Sequence, residues 1–525
     1  MIPLSIARIA EIVGGELHDV GDPTVLVAGP VEFDSRKVTP GSVFLALPGA
    51  KVDGHEHAAD AVAAGAAVVL AARPVGVPAV VVRPVPHSSR AMALEHDPEG
   101  AGAAVLTALG ALARESVLEL TARHDLTVVG VTGSSGKTST KDLISAVLRP
   151  LGSVVAPPGS FNNELGHPWT ALRADADTDF LALELSARGI GHIAELARLA
   201  PPRIGVVLNV GTAHLGEFGS RAAIALAKGE LVEALPAAAD GGVAILNIDD
   251  RLVAEMATRT KAAVVTVGLN ADADVRAVDV VVDTDARASF TLVCAAGTAH
   301  ITLAVHGEHQ VGNALAAAAV ALECGAGVAQ VAAALSTAVP TSIRRMDVRT
   351  RADGVTVIND SYNANPDSMR AALKALVSMS RRDDGPKRRS WAVLGEMGEL
   401  GGESVVEHDA IGRLAVRLDV DRLIIVDSGR PTRALHQGAV MEGSWGEESM
   451  LVPDRETAIA VLEDEVRAGD IVLVKASQSG AMWTVADALL AEPSADALLA
   501  EPSADALLAE PSADALSADS SEGEQ

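Results

Sequence analysis

The chain has 525 residues, 49% of them hydrophobic and 21% charged, a globular composition long enough for about three domains. A formal net charge of −27 excludes a nucleic-acid-binding surface, which needs clustered Lys and Arg. Mean hydropathy is +0.27, yet apolar stretches such as 61–72 and 311–322 end well short of the ~20 residues a membrane span needs, so no membrane insertion is expected.

The chain opens with MIPLSIARIAEIVGGEL. Arg8 and Glu11 interrupt its apolar residues at helical spacing and Gly14 and Gly15 follow, which predicts an amphipathic helix rather than a leader segment. Residues 1–122 alternate Ala-rich helices, as around 58–64, with Val-rich strands, as at 79–82. From 123 to 340 the pattern is strand, loop and helix in repetition, with buried strands predicted at 127–131, 181–185, 204–209 and 243–247. A third α/β unit covers 341–490, with strands predicted at 355–359, 391–394, 423–426 and 471–474. Continuous apolar strands separated by helices predict parallel sheets covered on both faces.

The tail, 491–525, differs in kind. ADALLAEPS begins at Ala486 and recurs at Ala495 and Ala504, and Pro493, Pro502 and Pro511 limit any helix to about two turns. The first copy is expected to complete the last domain's helix; beyond it a disordered, acidic, low-complexity segment is expected. Cys294 and Cys324 stand in unrelated contexts, with neither metal-site nor disulfide spacing, which fits a reducing, cytoplasmic setting.

The sharpest local signal is TVVGVTGSSGKTST at 127–140. A β-branched strand runs through Thr132 into Gly133, Ser134, Ser135, Gly136, Lys137, Thr138 and Ser139, and the helical KDLISAVL follows. Glycines let backbone N–H groups at a helix N-terminus approach phosphate oxygens. Lys137 then reaches the β- and γ-phosphates, and the Thr138 hydroxyl ligates Mg²⁺. The spacing departs from the standard phosphate loop, which has glycine where Val131 stands, and the bland alternative is a tight turn carrying a surface lysine.

Further segments follow in order: FNNELG at 161–166, LALELS ending a strand at Glu184, NVGTAHL with His214, and FGSRAAIALAKGELVE with Lys228. Then come HGEHQVGNALAAAAVA with His309 and Asn313, SIRRMDV with Arg345, INDSYNANPDSM ending at Met369, and LGEMGELGGESVVEH at 394–408. Together with the T-G-x-x-G-K-T loop, these resemble the Mur ligase family over nearly all of residues 1–490. The resemblance implies an α/β fold of three domains: an N-terminal UDP-binding domain (1–122), a central phosphate-loop ATPase domain with a parallel sheet (123–340), and a C-terminal Rossmann-like domain (341–490). It also implies a ligase (EC 6.3.2 type) that uses ATP and two Mg²⁺ ions. GSSGKTS, NNELG, YNANPDSM and LGEMGELG resemble the branch that joins D-alanyl-D-alanine to UDP-N-acetylmuramoyl-tripeptide. Small-molecule substrates and a monomeric enzyme are therefore expected. An amino-acid-adding ligase of the same family and a non-catalytic ATP-binding scaffold remain as alternatives.

By the same resemblance, Thr138 and Glu184 hold one Mg²⁺, while His214 and Lys228, the latter as a CO₂-derived carbamate, belong to a second metal site. Read without the resemblance, Lys228 is an exposed lysine on a helix at 221–234. Asn313 contacts adenine, or else caps its helix. Arg345 reaches the phosphates from the C-terminal domain, or lies on the surface beside Arg344. Asp360 faces the ribose or phosphates. Tyr362, the only tyrosine, and Asn363 belong to the substrate loop with Asn162 and Asn163, although Asn363 and Asn365 also suit turns before Pro366. Ser35 and Arg36 are expected at the uridine diphosphate end, with Lys51, Asp53, Gly54 and His55 in a neighbouring loop. His408 either orients substrate or caps a helix. Two departures stand out: Lys475-Ala476-Ser477-Gln478 where the family has Lys-Gly-Ser-Arg, and His192 where an acid is expected.

Overall fold

The computed structural model describes residues 1–49, 52–85, 94, 97–213, 215–382, 385–443 and 449–491. His214, Lys51 and the repeats beyond Ala491 lie outside the described residues.

Ser5 caps the first helix, Ile6–Val13, by accepting the Arg8 N–H at 3.1 Å, and Gly14 ends it in the left-handed region at φ 63°. Among the described residues the N-terminal sheet has five strands in the order Glu16–His18, Ala79–Val81, Val68–Ala71, Val43–Leu45, Val31–Glu32. All neighbours are parallel except Glu16–His18. Ala101–His124 is longer than any apolar stretch singled out above. Among the described residues it alone is long and apolar enough to cross a membrane by length and composition. It is instead a core helix: Leu109, Leu112 and Leu120 are fully buried, and it packs on Ile6–Val13, Gly166–Ala171 and His192–Leu199.

The central sheet has nine strands among the described residues. Seven run parallel, in the order Val154–Val155, Phe180–Glu184, Thr127–Thr132, Ile204–Val207, Val243–Asn247, Ala263–Gly268, Val275–Val282. The sheet then departs from the repeated strand–helix pattern expected through 340, because Arg287–Cys294 and Gly297–His306 add antiparallel strands. Exposed and buried residues alternate along Gly297–His306, as a sheet with one wet face requires, and strand-to-strand turns replace helices there. The helix Gln310–Glu323 is almost wholly buried, and its run of alanines lets the phosphate-loop helix Lys137–Leu148 pack closely against it.

The C-terminal sheet has six strands among the described residues, ordered Asp347–Thr350, Thr356–Asn359, Ile471–Lys475, Ser390–Leu394, Arg422–Val426, Ser449–Val452. Only the first is antiparallel to its neighbour. The helix Trp483–Leu490 contains the start of the first tail repeat, as expected. In both larger sheets, the loops at the carboxyl ends of the parallel strands meet across one cleft, where open α/β sheets bind ligands.

Candidate active site

The cleft holds about 1040 Å³ between the central and C-terminal domains. Residues Ser134 to Ser139 of the phosphate loop form one wall, with Asn162, Asn163 and Asn313 beside them. Arg345, Asp360, Tyr362 and Asn363 line the other. Gly136 turns through φ 84° to start the helix at Lys137, and a Cβ on it would lie 2.7 Å from the Asn313 carboxamide oxygen. Glycine is therefore required there twice, by the dihedral angle and by the close approach. Asn313 is buried and donates to Gln310 at 2.8 Å, so its reading as a simple helix cap fails: it presses on the loop.

At the loop's end the strand Phe180–Glu184 delivers Glu184, fully buried, beneath Thr138. Thr138 Oγ1 donates to Glu184 Oε2 at 3.1 Å and lies 2.7 Å from Ser160 Oγ, and Asn162 Nδ2 reaches the same carboxylate oxygen at 3.3 Å. Glu184 Oε1 is buried with no hydrogen-bond partner. Burial raises the pKa of this carboxyl, against the attraction of Arg345, Lys141 and Lys137. A hydroxyl and an orphaned carboxylate oxygen make a hard-oxygen donor set that fits a Mg²⁺ ion. Among the described residues no group of three or more His, Cys, Asp or Glu forms a ready-made metal cluster, and His214 lies outside them.

Lys137 folds back on the loop, donating to the Gly133 carbonyl at 2.7 Å, and Thr132 Oγ1 donates to Leu185 O at 2.9 Å just before the loop. Burial lowers the Lys137 pKa, with Arg345 adding to the effect and Glu184 and Glu399 opposing it. Lys228 is not the exposed helical lysine of the plain reading. It is 5% exposed in the helix Arg221–Glu233, and no described residue pairs with it. Burial, with Lys137 nearby, pushes its pKa well below the usual lysine range.

The C-terminal domain reaches over this wall. Arg345 donates to Ser160 Oγ at 2.8 Å and stacks 4.3 Å from the Tyr362 ring. The backbone enters the left-handed region on both sides of it, at Arg344 (φ 60°) and Met346 (φ 49°), a costly path that turns the side chain into the cleft rather than onto the surface. Asp360 Oδ2 meets the Lys475 ammonium at 2.6 Å, and Lys475 also donates to Asn363 O at 2.9 Å. The helix Pro366–Ser380 points its N-terminus at the phosphate loop; Asn365 caps it and reaches Ser134 O at 3.5 Å. Asp367 accepts the Thr212 N–H at 3.3 Å, and Arg188 pairs with Glu399 at 3.0 Å across the domain boundary.

Three family models match the chain: the Mur ligase middle domain at 131–321, the Mur ligase glutamate ligase domain at 344–478, and the Mur ligase family catalytic domain at 30–115. The UDP-N-acetylmuramoyl-tripeptide–D-alanyl-D-alanine ligase of Mycobacterium tuberculosis (strain ATCC 25618 / H37Rv) is 58% identical over 507 residues, covering 94% of this chain and 98% of that protein. The chain belongs to the Mur ligase family. The Escherichia coli (strain K12) protein of the same name is 32% identical, over 93% of this chain and 99% of that protein. Among solved structures, MurF from Acinetobacter baumannii superposes with a TM-score of 0.77 at 28% identity, covering 93% of this chain and 99% of that one. MurF from Thermotoga maritima in complex with ADP gives 0.69 at 27% identity, covering 88% and 97%. The α/β architecture in three Mur ligase domains is thus shared with solved relatives.

The remaining sequence expectations, His192 apart, fall outside the cleft of this Mur ligase. Ser35 and Arg36 do not line the cleft; they form a short 3₁₀ turn in the N-terminal domain, where the Arg36 guanidinium pairs with Asp34 at 2.8 Å. His55 is buried and structural: Nδ1 meets Asp53 at 2.7 Å and Nε2 accepts the Ala72 N–H at 3.1 Å. His408 is structural too, since Nε2 accepts the Met397 N–H at 2.9 Å and Nδ1 donates to Ser404 O at 2.6 Å, fixing the loop after Leu394. His192 lines the cleft, and the acid capping its helix is Glu230, which accepts the Ala194 N–H at 3.0 Å. Sequence reasoning missed Ser160, Asn209 and the buried pair Lys141–Asp142, which holds the inter-domain linker through Ser342. Asn209 opens the quoted NVGTAHL and Lys141–Asp142 open KDLISAVL, so Ser160 alone lay outside every segment singled out.

Proposed function

We propose that this chain joins D-alanyl-D-alanine to UDP-N-acetylmuramoyl-tripeptide at the expense of ATP, giving the UDP-linked pentapeptide, ADP and phosphate. The observation that carries the reading is the Thr138 hydroxyl set 3.1 Å from a buried Glu184 carboxylate whose other oxygen has no partner, at the foot of a phosphate loop. The choice of substrates follows the relatives that are 58% and 32% identical over more than nine-tenths of the chain.

Thr138 and Glu184 would hold one Mg²⁺, which supplies positive charge to the β- and γ-phosphates. The N–H groups of the helix start and the Lys137 ammonium bind the same phosphates. The tripeptide carboxylate oxygen attacks the γ-phosphorus and ADP departs, leaving an acyl phosphate. The dipeptide amine then attacks the acyl carbon, loses a proton, and phosphate leaves. Arg345, forked and permanently charged, neutralises the oxyanions from the opposite wall. Asn313 and Asp360 take the adenosine side of the nucleotide, while Asn162, Asn163, Tyr362 and Asn363 orient the acceptor. Ser35 and Arg36 meet the uridine diphosphate. Domain contact over the loop excludes water from the acyl phosphate.

Lys228 is proposed as a carbamate. Its amine adds to CO₂ and releases one proton, a step that requires the neutral amine its burial favours. The product is an anion suited, with His214, to a second Mg²⁺. The enzyme is proposed to work as a cytoplasmic monomer on small molecules.

The test is a panel of UDP-linked acceptors offered D-alanyl-D-alanine or single amino acids, with products identified by mass spectrometry and ADP counted. Mg²⁺-dependent formation of the pentapeptide is expected. Preference for a single amino acid would move the chain to another branch of the family, and no ATP turnover with any pair would leave a scaffold.

A further inference from the structure

The two residues that enter the phosphate loop are gripped from outside it. Asn209 lies just beyond the strand Ile204–Val207, the neighbour of the loop's own strand. Its Oδ1 accepts the N–H of Ser134 at 2.9 Å and of Ser135 at 3.0 Å, and its Nδ2 donates to the Ser135 carbonyl at 3.1 Å. Ser134 N–H also reaches the Asn209 backbone carbonyl at 3.2 Å, and Gly211 N–H donates to Ser134 Oγ at 2.9 Å.

The third of these side-chain bonds has the largest consequence. In an α-helix the N–H of residue i bonds the carbonyl of i−4, so Ser135 O is the acceptor that Ser139 N–H would take if the helix wound one residue further back. In this loop that oxygen accepts from Asn209 Nδ2 instead, which ties the residue before Gly136 to the neighbouring strand. Thr140 is the first residue to bond back, to Gly136 O at 2.8 Å. The N–H groups of Lys137, Thr138 and Ser139, like those of any helix's first turn, have no intrahelical acceptor, and they lie in the wall of the cleft. At the same time the two N–H groups that would compete for an anion further out, Ser134 and Ser135, are already satisfied.

We infer that Asn209 is a positioning residue for the nucleotide phosphates. It acts through the loop, holding the backbone of Ser134 and Ser135 so that the free N–H groups of the helix start are set toward the β-phosphate, and it rests on the ATP reading above. Alanine at this position frees both the Ser135 N–H and its carbonyl. Aspartate keeps the shape and the acceptor but sets an anion against the Ser135 carbonyl.

The experiment compares wild type, N209A and N209D by calorimetric titration with ADP in the absence of Mg²⁺, by titration with the UDP-linked tripeptide, and by steady-state kinetics. N209A should weaken ADP by roughly tenfold to a hundredfold, and N209D by at least as much. The KM for ATP should rise in parallel, while affinity for the UDP-linked substrate and the thermal midpoint stay near wild type. ADP affinity within twofold of wild type in both variants overturns the inference. So does equal weakening of both ligands with a lowered thermal midpoint, which marks Asn209 as merely structural. Wild-type protein that binds no ADP instead overturns the ATP reading, and the inference with it.

Discussion

Glu184→Gln should make the unliganded enzyme more stable while making it inactive. Glu184 is fully buried, and its Oε1 has no hydrogen-bond partner. Leaving a buried polar group unsatisfied costs about 1–3 kcal/mol. A glutamine keeps one oxygen for Thr138 and Asn162 and sets a neutral amide where the charged oxygen stood. That amide is still unpartnered, so the gain is the charge-dependent part of the cost, about 1 kcal/mol. For a domain of roughly 150–250 residues, each 1 kcal/mol moves the midpoint by about 2–4 °C, so the gain is a few degrees. The pH dependence identifies the cause. Burial raises the folded carboxyl's pKa above its ordinary 4.5. Wild type therefore holds its full stability at this group below pH ~4.5 and loses it as pH rises through the raised folded value. The advantage of E184Q should be absent near pH 4.5 and grow toward pH 8. Thermal scans across pH, with and without Mg²⁺ and ATP, test this. The ligand-induced upshift of wild type should vanish in the variant. A variant less stable than wild type at pH 8, or one with a pH-independent gap, would refute the argument that an unpaired buried charge awaits a cation.

Three further outcomes follow from the same geometry. K228A should be inactive, because it removes the buried amine, and short carboxylic acids added to the assay should restore part of the turnover; no recovery at any concentration would exclude the carbamate. G216A should lower kcat at least tenfold without changing ADP affinity, because its Cβ would lie 2.6 Å from Gly401 N and 2.7 Å from Gly401 Cα across the domain boundary, and unchanged kcat would show that this contact is not needed for turnover. D360N leaves Lys475, 2% exposed, without its counter-ion, at a cost of about 3–5 kcal/mol; urea denaturation should show the loss, and D360N/K475M should recover most of it.

Residue order alone revealed the phosphate loop, because a β-branched strand, glycines and a helix start must follow one another directly in the chain. The buried parallel strands were legible for the same local reason: uninterrupted runs such as 243–247 leave no wet face. What escaped depends on partners distant in sequence. The antiparallel extension at 287–306 carries an alternating pattern that a reader following strand–helix repeats passes over. Lys228 lies on a helix whose sequence looks half-exposed, and its burial comes from packing by other elements. The Lys475-Ala476-Ser477-Gln478 departure cast doubt on a binding loop, yet its lysine pairs with Asp360, 115 residues away, and its Ser477 Oγ accepts the Gly398 N–H at 2.7 Å. Asn209 stood inside a recognised motif, but its grip on the loop is a fact of two neighbouring strands.

The charged groups buried around the cleft form a graded series, and the grading separates scaffold from chemistry. Lys475 is paired with Asp360 and bonded to Asn363 O, so it costs little as it stands and needs no ligand. Glu184 is half satisfied, with two donors on one oxygen and none on the other. Lys228 has no partner among the described residues, and burial pushes its pKa well below the ordinary lysine range. A fold selected for stability alone would replace the last two with apolar residues, which pack as well and carry no desolvation penalty. Their presence is accounted for on the proposed reading, in which the missing partners come from outside the chain: a cation for Glu184, and CO₂ for the neutral amine of Lys228. Unsatisfied burial is then the mark of the reaction, and satisfied burial the mark of the frame that holds it.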